Sequence, residues 1–117
     1  MADLDRRAVV AKLLRDSADT PGGELLVVTG LGSTTYDAGA AGDRPENFYL
    51  WGAMGGATMI GLGVALAQPT RRVLVLTGDG EALMGLGALS TVAARAPGNM
   101  SIVVMDNGQF GETGHQA

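Results

Sequence analysis

The sequence predicts an α/β fold, a three-layer parallel sheet with helices on both faces. Three short apolar runs, at residues 25–28, 73–76 and 102–105, carry no polar interruption. Such runs mark strands buried on both faces, as in parallel sheets. Helical stretches separate them, and glycine-bearing polar turns follow the second and third. Alternating strands and helices favour a parallel sheet covered on both sides. With 117 residues and no internal linker, the chain reads as one domain spanning 1–117.

Taken in order, residues 4–15 place Leu4, Val9, Leu13 and Leu14 among charges, the pattern of an amphipathic helix ended by Pro21-Gly22-Gly23. The valine-rich run at 25–28 is the first strand. Residues 30–48 mix Gly, Ser, Thr, Asp and Pro and read as a long irregular loop. Residues 55–68 form a helix of small residues suited to close packing and stopped by Pro69. The strand at 73–76 ends in the turn Thr77-Gly78-Asp79-Gly80. Residues 83–95 read as one helix ended by Pro97-Gly98-Asn99, and the strand at 102–105 runs into Asp106-Asn107-Gly108.

Composition narrows the functions available. Apolar residues make up 46% and charged residues 17%, which excludes a disordered tail. The absence of cysteine rules out disulfides, thiolate metal sites and cysteine nucleophiles, and a single histidine argues against a zinc cluster. A net charge of −4 offers no basic footprint for nucleic acid. The N-terminus, with Asp3 and Asp5 beside Arg6 and Arg7, is unlike a signal peptide. The stretch 53–67 is short and glycine-rich for a membrane span. A cytoplasmic protein without nucleic-acid or membrane partners is expected. The nineteen glycines cluster without a period, which points to tight turns or close backbone approach to a ligand.

In parallel sheets ligands bind beyond the carboxyl ends of the strands, where both polar turns are expected. Asp79, flanked by Gly78 and Gly80, can approach a bound group there without obstruction. The helix after it would turn free N–H groups and its positive dipole end to the same place. Diphosphate suits those N–H groups, but Asp79 repels it. A divalent cation between them resolves the conflict, and Mg²⁺ takes a few protein oxygens plus phosphates. Asn107, at the end of the neighbouring strand, offers a neutral oxygen, and Gly108 lets the carbonyl of Gln109 turn inward. Alone, Gly-Asp-Gly is weak evidence and more often a plain strand-to-helix turn; the two turns, one strand–helix–strand unit apart, are the specific signal.

The stretch Gly78-Asp79-Gly80, residues 81–106 and Asn107 resembles the signature motif of the thiamine-diphosphate enzymes. The resemblance implies Mg²⁺ ligation by the side chains of Asp79 and Asn107 and the backbone carbonyl of Gln109. It implies that Gly80 and Glu81 offer backbone N–H groups to the diphosphate. Upstream, Trp51-Gly52-Ala53-Met54-Gly55-Gly56 is similar to the family's Gly-x-Met-Gly segment. By that likeness Met54 wedges between the pyrimidine and thiazolium rings, and the Gly52 carbonyl accepts from the pyrimidine amino group. The alternative for Met54 is core filler.

Three further phrases look like the sulfopyruvate decarboxylase β-subunit family: residues 42–49, residues 61–67, and residues 106–116 with Gly111-Glu112-Thr113-Gly114. Phosphonopyruvate decarboxylases have a similar C-terminal half. The resemblance implies a 2-oxo acid decarboxylase that releases CO2 and an aldehyde, the cofactor acting as electron sink, with another 2-oxo acid or carboligation as the alternatives. It also implies a domain curtailed at its C-terminus. His115 departs from the family pattern, which carries glycine there; it is a candidate proton donor or anion contact, or else a plain loop residue.

The family's activating glutamate comes from a pyrimidine-binding domain that nothing here matches; Glu24, Glu46, Glu81 and Glu112 lie in no motif that would place them there. The resemblance therefore implies a partner subunit supplying that glutamate, in a hetero-oligomer with self-association, and residues 52–67 are a candidate part of the interface. Ser33, Thr34, Thr35 and Tyr36 are either an anion site for sulfonate or phosphonate or a solvated loop. Two rivals are a non-catalytic regulatory subunit and a nucleotide-binding module. The latter rests on Gly30-x-Gly32, against which stand Thr35 and the lack of a helical pattern directly after it.

Overall fold

The computed structural model describes residues 4–17, 22–111 and 114–117. Helix α1 spans Arg6–Asp16, and the Asp5 side chain caps it by accepting from the amides of Arg7 and Ala8 at 2.9 and 3.2 Å. Strand β1 is Leu26–Thr29, α2 Ser33–Ala41, β2 Asn47–Tyr49 and α3 Ala57–Ala67. Strand β3 is Val73–Gly78, followed by α4 (Asp79–Met84), α5 (Ala88–Arg95) and β4 (Met100–Met105). The four strands form one parallel sheet in the order β2-β1-β3-β4.

Neighbouring residues of each strand face opposite sides, and the two sides carry separate cores. Val27, Leu74 and Leu76 pack with Val10 of α1, Ala38 of α2 and Leu25. Val28 and Val75 pack with Leu50, Ala57 and Ile60 on the α3 side. The helix–sheet–helix layering expected from the apolar runs is therefore present. Strand β3 is its centre: Val73, Val75 and Leu76 are essentially inaccessible to solvent. Burying a side chain of this size stabilises by about 1.5–3 kcal/mol. The small residues of α3 do let it press on the sheet, since a Cβ on Gly61 would sit 2.3 Å from Val75 Cγ2.

Two expectations are corrected. Residues 30–48 are not one irregular loop, because they hold α2 and β2. The buried face of α2 is Thr34, Asp37 and Ala38, which gives no aliphatic period. Asp37 is 2% exposed and lies between two arginines of α1, with Arg6 Nε 2.9 Å from Oδ2 and Arg7 Nε 3.2 Å from Oδ1. The helix also begins directly after Gly30-x-Gly32, so the lack of one is no argument against nucleotide binding. The second correction concerns residues 83–95, read as one helix. Helix α4 begins earlier, at Asp79, and the turn at Gly85–Gly87 separates it from α5.

At the amino ends of the strands, Asn99 closes the fold. Its side-chain amide donates to the carbonyls of Ala65, Gln68 and Arg71 at 3.0, 3.1 and 2.8 Å. Among the described residues, no helix is long and apolar enough to cross a membrane.

Candidate diphosphate and metal site

The register of β3 and β4 decides where the two polar turns meet. Gly78 pairs with Met105, so Asp79 and Asn107 leave adjacent strands at the same edge. Asp79 Oδ1 accepts from the backbone N–H of Asn107 at 3.4 Å. The Asn107 loop is shaped by its own side chains: Asp106 Oδ1 accepts from the Gly108 amide and Asn107 Oδ1 from the Gln109 amide, both at 2.9 Å. Gly108 takes φ +70, which lets the chain reverse there. Among the described residues no basic side chain pairs with Asp79, which leaves its charge for a cation. Among the described residues no three His, Asp or Glu side chains converge into a metal cluster there.

Gly80 is covered by the Phe110 ring, and a Cβ there would sit 2.4 Å from Phe110 Cε1. The amides of Asp79, Gly80 and Glu81 open α4 and have no intrahelical acceptor. Phe110 is anchored by a short antiparallel bridge to Gln116, the Phe110 amide donating to Gln116 at 2.8 Å. That bridge carries His115, whose Nδ1 lies 3.1 Å from Gln109 Oε1. His115 thus sits beside one expected site residue, on the exposed side. Glu112 and Thr113 of the Gly111–Gly114 phrase lie outside the described residues.

The Gly-x-Met-Gly segment faces the same region. Gly52 and Gly55 take φ +79 and +89, and the Gly56 amide donates to Ala53 O at 2.9 Å, forming a compact loop. Met54 is 41% exposed and Trp51 77%, so neither is core filler. The loop rests on α4, because Gly55 meets Met84 and Gly85 at backbone distance. Beside it lies a depression of about 360 Å³ lined by Met59, Met84, Gly85 and Ala88.

Sequence reasoning missed the side chain of Glu81. It is 9% exposed, its Oε2 is hydrogen bonded to the Thr77 hydroxyl, and its Oε1 accepts from the Gly55 amide at 3.3 Å. The Thr77-x-x-x-Glu81 spacing was the one available signal. Of the four hydroxyls considered for an anion site, two are engaged elsewhere: Thr34 and Thr35 donate to Gly30 O at 3.2 and 2.8 Å.

Residues 30–117 match the model of the thiamine pyrophosphate enzyme family, C-terminal TPP binding domain. The chain belongs to this family. Thiamine pyrophosphate and thiamine diphosphate are one molecule, and the matched region holds both polar turns and the Gly-x-Met-Gly loop. Among curated relatives of this thiamine-pyrophosphate-binding domain, the phosphonopyruvate decarboxylase of Streptomyces hygroscopicus is 49% identical over 107 residues. That match covers 92% of this chain and 26% of the relative. The sulfopyruvate decarboxylase subunit beta of Methanothermobacter thermautotrophicus is 50% identical over 91 residues, 78% of this chain and 49% of that protein. The Methanocaldococcus jannaschii subunit beta is 38% identical over 104 residues, 89% and 55% of the two chains. The chain thus spans between a quarter and about half the length of these relatives.

Proposed function

We propose that this chain is the diphosphate- and Mg²⁺-binding part of a cytoplasmic thiamine-diphosphate-dependent 2-oxo acid decarboxylase of the sulfopyruvate type, releasing CO2 and an aldehyde. The observation that carries the reading is the convergence of Asp79 and Asn107 at one sheet edge. Asp79, the Asn107 side chain and the Gln109 carbonyl would hold Mg²⁺, and the opening amides of α4 at Gly80 and Glu81 would hold the diphosphate. Gly52 and Met54 would set the bend between the two rings. The cofactor, when bound, supplies the electron sink for the departing CO2. The chain's own residues would bind and orient it, and His115, which lies beside Gln109, would offer a proton or an anion contact.

The activating glutamate is proposed to come from a pyrimidine-binding subunit or domain. The exposed apolar residues near the loop (Trp51, Met59, Leu83, Met84 and Leu86) support a partner surface on this side. Phosphonopyruvate is the second substrate reading, favoured by the match to the Streptomyces hygroscopicus enzyme over 92% of the chain. Both substrates are 2-oxo acids with an anionic head, and much of the discrimination would lie in the partner.

Co-expression with a pyrimidine-domain partner, followed by an aldehyde assay on sulfopyruvate and phosphonopyruvate, tests the activity and ranks the two acids. Asp79→Ala should abolish Mg²⁺-dependent cofactor retention while the circular dichroism of the fold persists. Retained Mg²⁺-dependent activity in that variant would remove the ligand assignment.

A further inference from the structure

The carboxylate of Glu81 occupies a place that its backbone role does not explain. The sheet order β2-β1-β3-β4 runs outward in both directions from the β1–β3 pair, and the crevice at such a reversal is where α/β sheets receive ligands. Gly30 directly follows β1 in this crevice, and Thr77 is the last residue but one of β3. A side chain on Gly30 would place its Cβ 1.6 Å from Glu81 Oε2, so the missing side chain is the space the carboxylate fills. Among the described residues no basic side chain pairs with it. A buried carboxylate without a counter-ion is costly unless hydrogen bonded. Its two oxygens are bonded to the Thr77 hydroxyl and the Gly55 amide.

We infer that Glu81 is a positioning residue whose buried carboxylate locks the Gly52–Gly55 loop, and with it Met54, to the turn that begins at Asp79. The inference rests on the diphosphate-site reading above and assigns the side chain a separate task. The turn grips one end of the cofactor and the loop shapes the other. Beside the packing of Gly55 on Gly85, one side chain bridging Thr77 of the strand and Gly55 of the loop fixes the distance between them. Loss of that bridge frees the loop without touching the groups that hold the diphosphate.

The test uses the full chain together with the subunit or domain that completes it. Binding of Mg²⁺ with inorganic pyrophosphate is compared with binding of Mg²⁺ with thiamine diphosphate, and the hydrogen exchange of the Gly55 amide is followed by NMR. Glu81→Ala should weaken thiamine diphosphate about tenfold, the scale of one hydrogen bond to a charged group, and leave pyrophosphate within about twofold. Gly55 exchange should accelerate in the same variant. Glu81→Gln, which can still accept from Gly55 and donate to Thr77, should restore both. Where Glu81→Ala does not fold, Thr77→Val removes the second anchor and should show the same selective loss.

Equal loss of both ligands, unchanged thiamine diphosphate affinity, or failure of Glu81→Gln to rescue would overturn the inference. Should the unaltered protein take up neither ligand, the diphosphate-site reading fails first, and the inference built on it goes too.

Discussion

Gly55 and Gly85 meet backbone to backbone: a Cβ on Gly85 would lie 2.1 Å from the Gly55 carbonyl oxygen. Gly85 itself has φ −106, a conformation open to any residue, so only the contact demands glycine. Gly85→Ala therefore tests the packing of the Met54 loop on α4 without backbone strain. The expected cost is that of overpacking, about 1–3 kcal/mol in urea denaturation. Cofactor retention should fall along with it, because the loop must shift. A variant with unaltered stability and retention would show that the loop does not rest on α4.

Asp79→Asn keeps an oxygen for the Asn107 amide and removes the charge. The fold should survive, with a urea midpoint close to that of the parent. Mg²⁺-dependent retention of thiamine diphosphate should fall by at least about tenfold, equivalent to about 1.4 kcal/mol. Equilibrium dialysis at graded Mg²⁺ reads the effect directly.

The Asp37 clamp predicts an asymmetry. Arg6 and Arg7 are about half exposed and can turn to water when Asp37 is replaced, whereas Asp37 itself has 1% side-chain exposure. Removing both arginines strands a buried charge, a loss of about 3–5 kcal/mol in comparable pairs. The double variant Arg6→Ala/Arg7→Ala should therefore be less stable than Asp37→Asn. The reverse order in chemical denaturation would refute the clamp.

Tyr49 gives a pH signature. Burial raises its phenol above the usual range; a bond from Asn47 at 3.0 Å pulls it back, and the bond it donates to Asp43 at 2.8 Å raises it again. The folded state thus holds this proton more tightly than the unfolded chain does. Its contribution is intact below the ordinary phenol range and is lost as pH climbs towards the raised value. Tyr49→Phe should cost about 1 kcal/mol near neutrality for the lost hydrogen bonds and flatten the alkaline decline. Thermal midpoints followed from neutral to alkaline pH check both effects.

The central strands and the meeting of Asp79 with Asn107 were legible because aliphatic runs and glycine-flanked polar turns are local signals. Helix α2 was not, since its inward face is Thr34, Asp37 and Ala38, and its charged residue is satisfied by α1, far away in sequence. Strand β2 has three residues with mixed exposure and offers no run to recognise. The break at Gly85–Gly87 was visible as two glycines, but the leucines around it kept a helical rhythm. Glu81 was hidden for a different reason: the partner of its Oε1 is a backbone amide, which no residue type announces.

Asn99 gathers three carbonyls at one pole of the molecule onto a single nitrogen. Deamidation there would swap a donor for a negative oxygen facing the carbonyls of Ala65, Gln68 and Arg71. Slow chemical ageing would then loosen the chain first at the end remote from the crevice between β1 and β3.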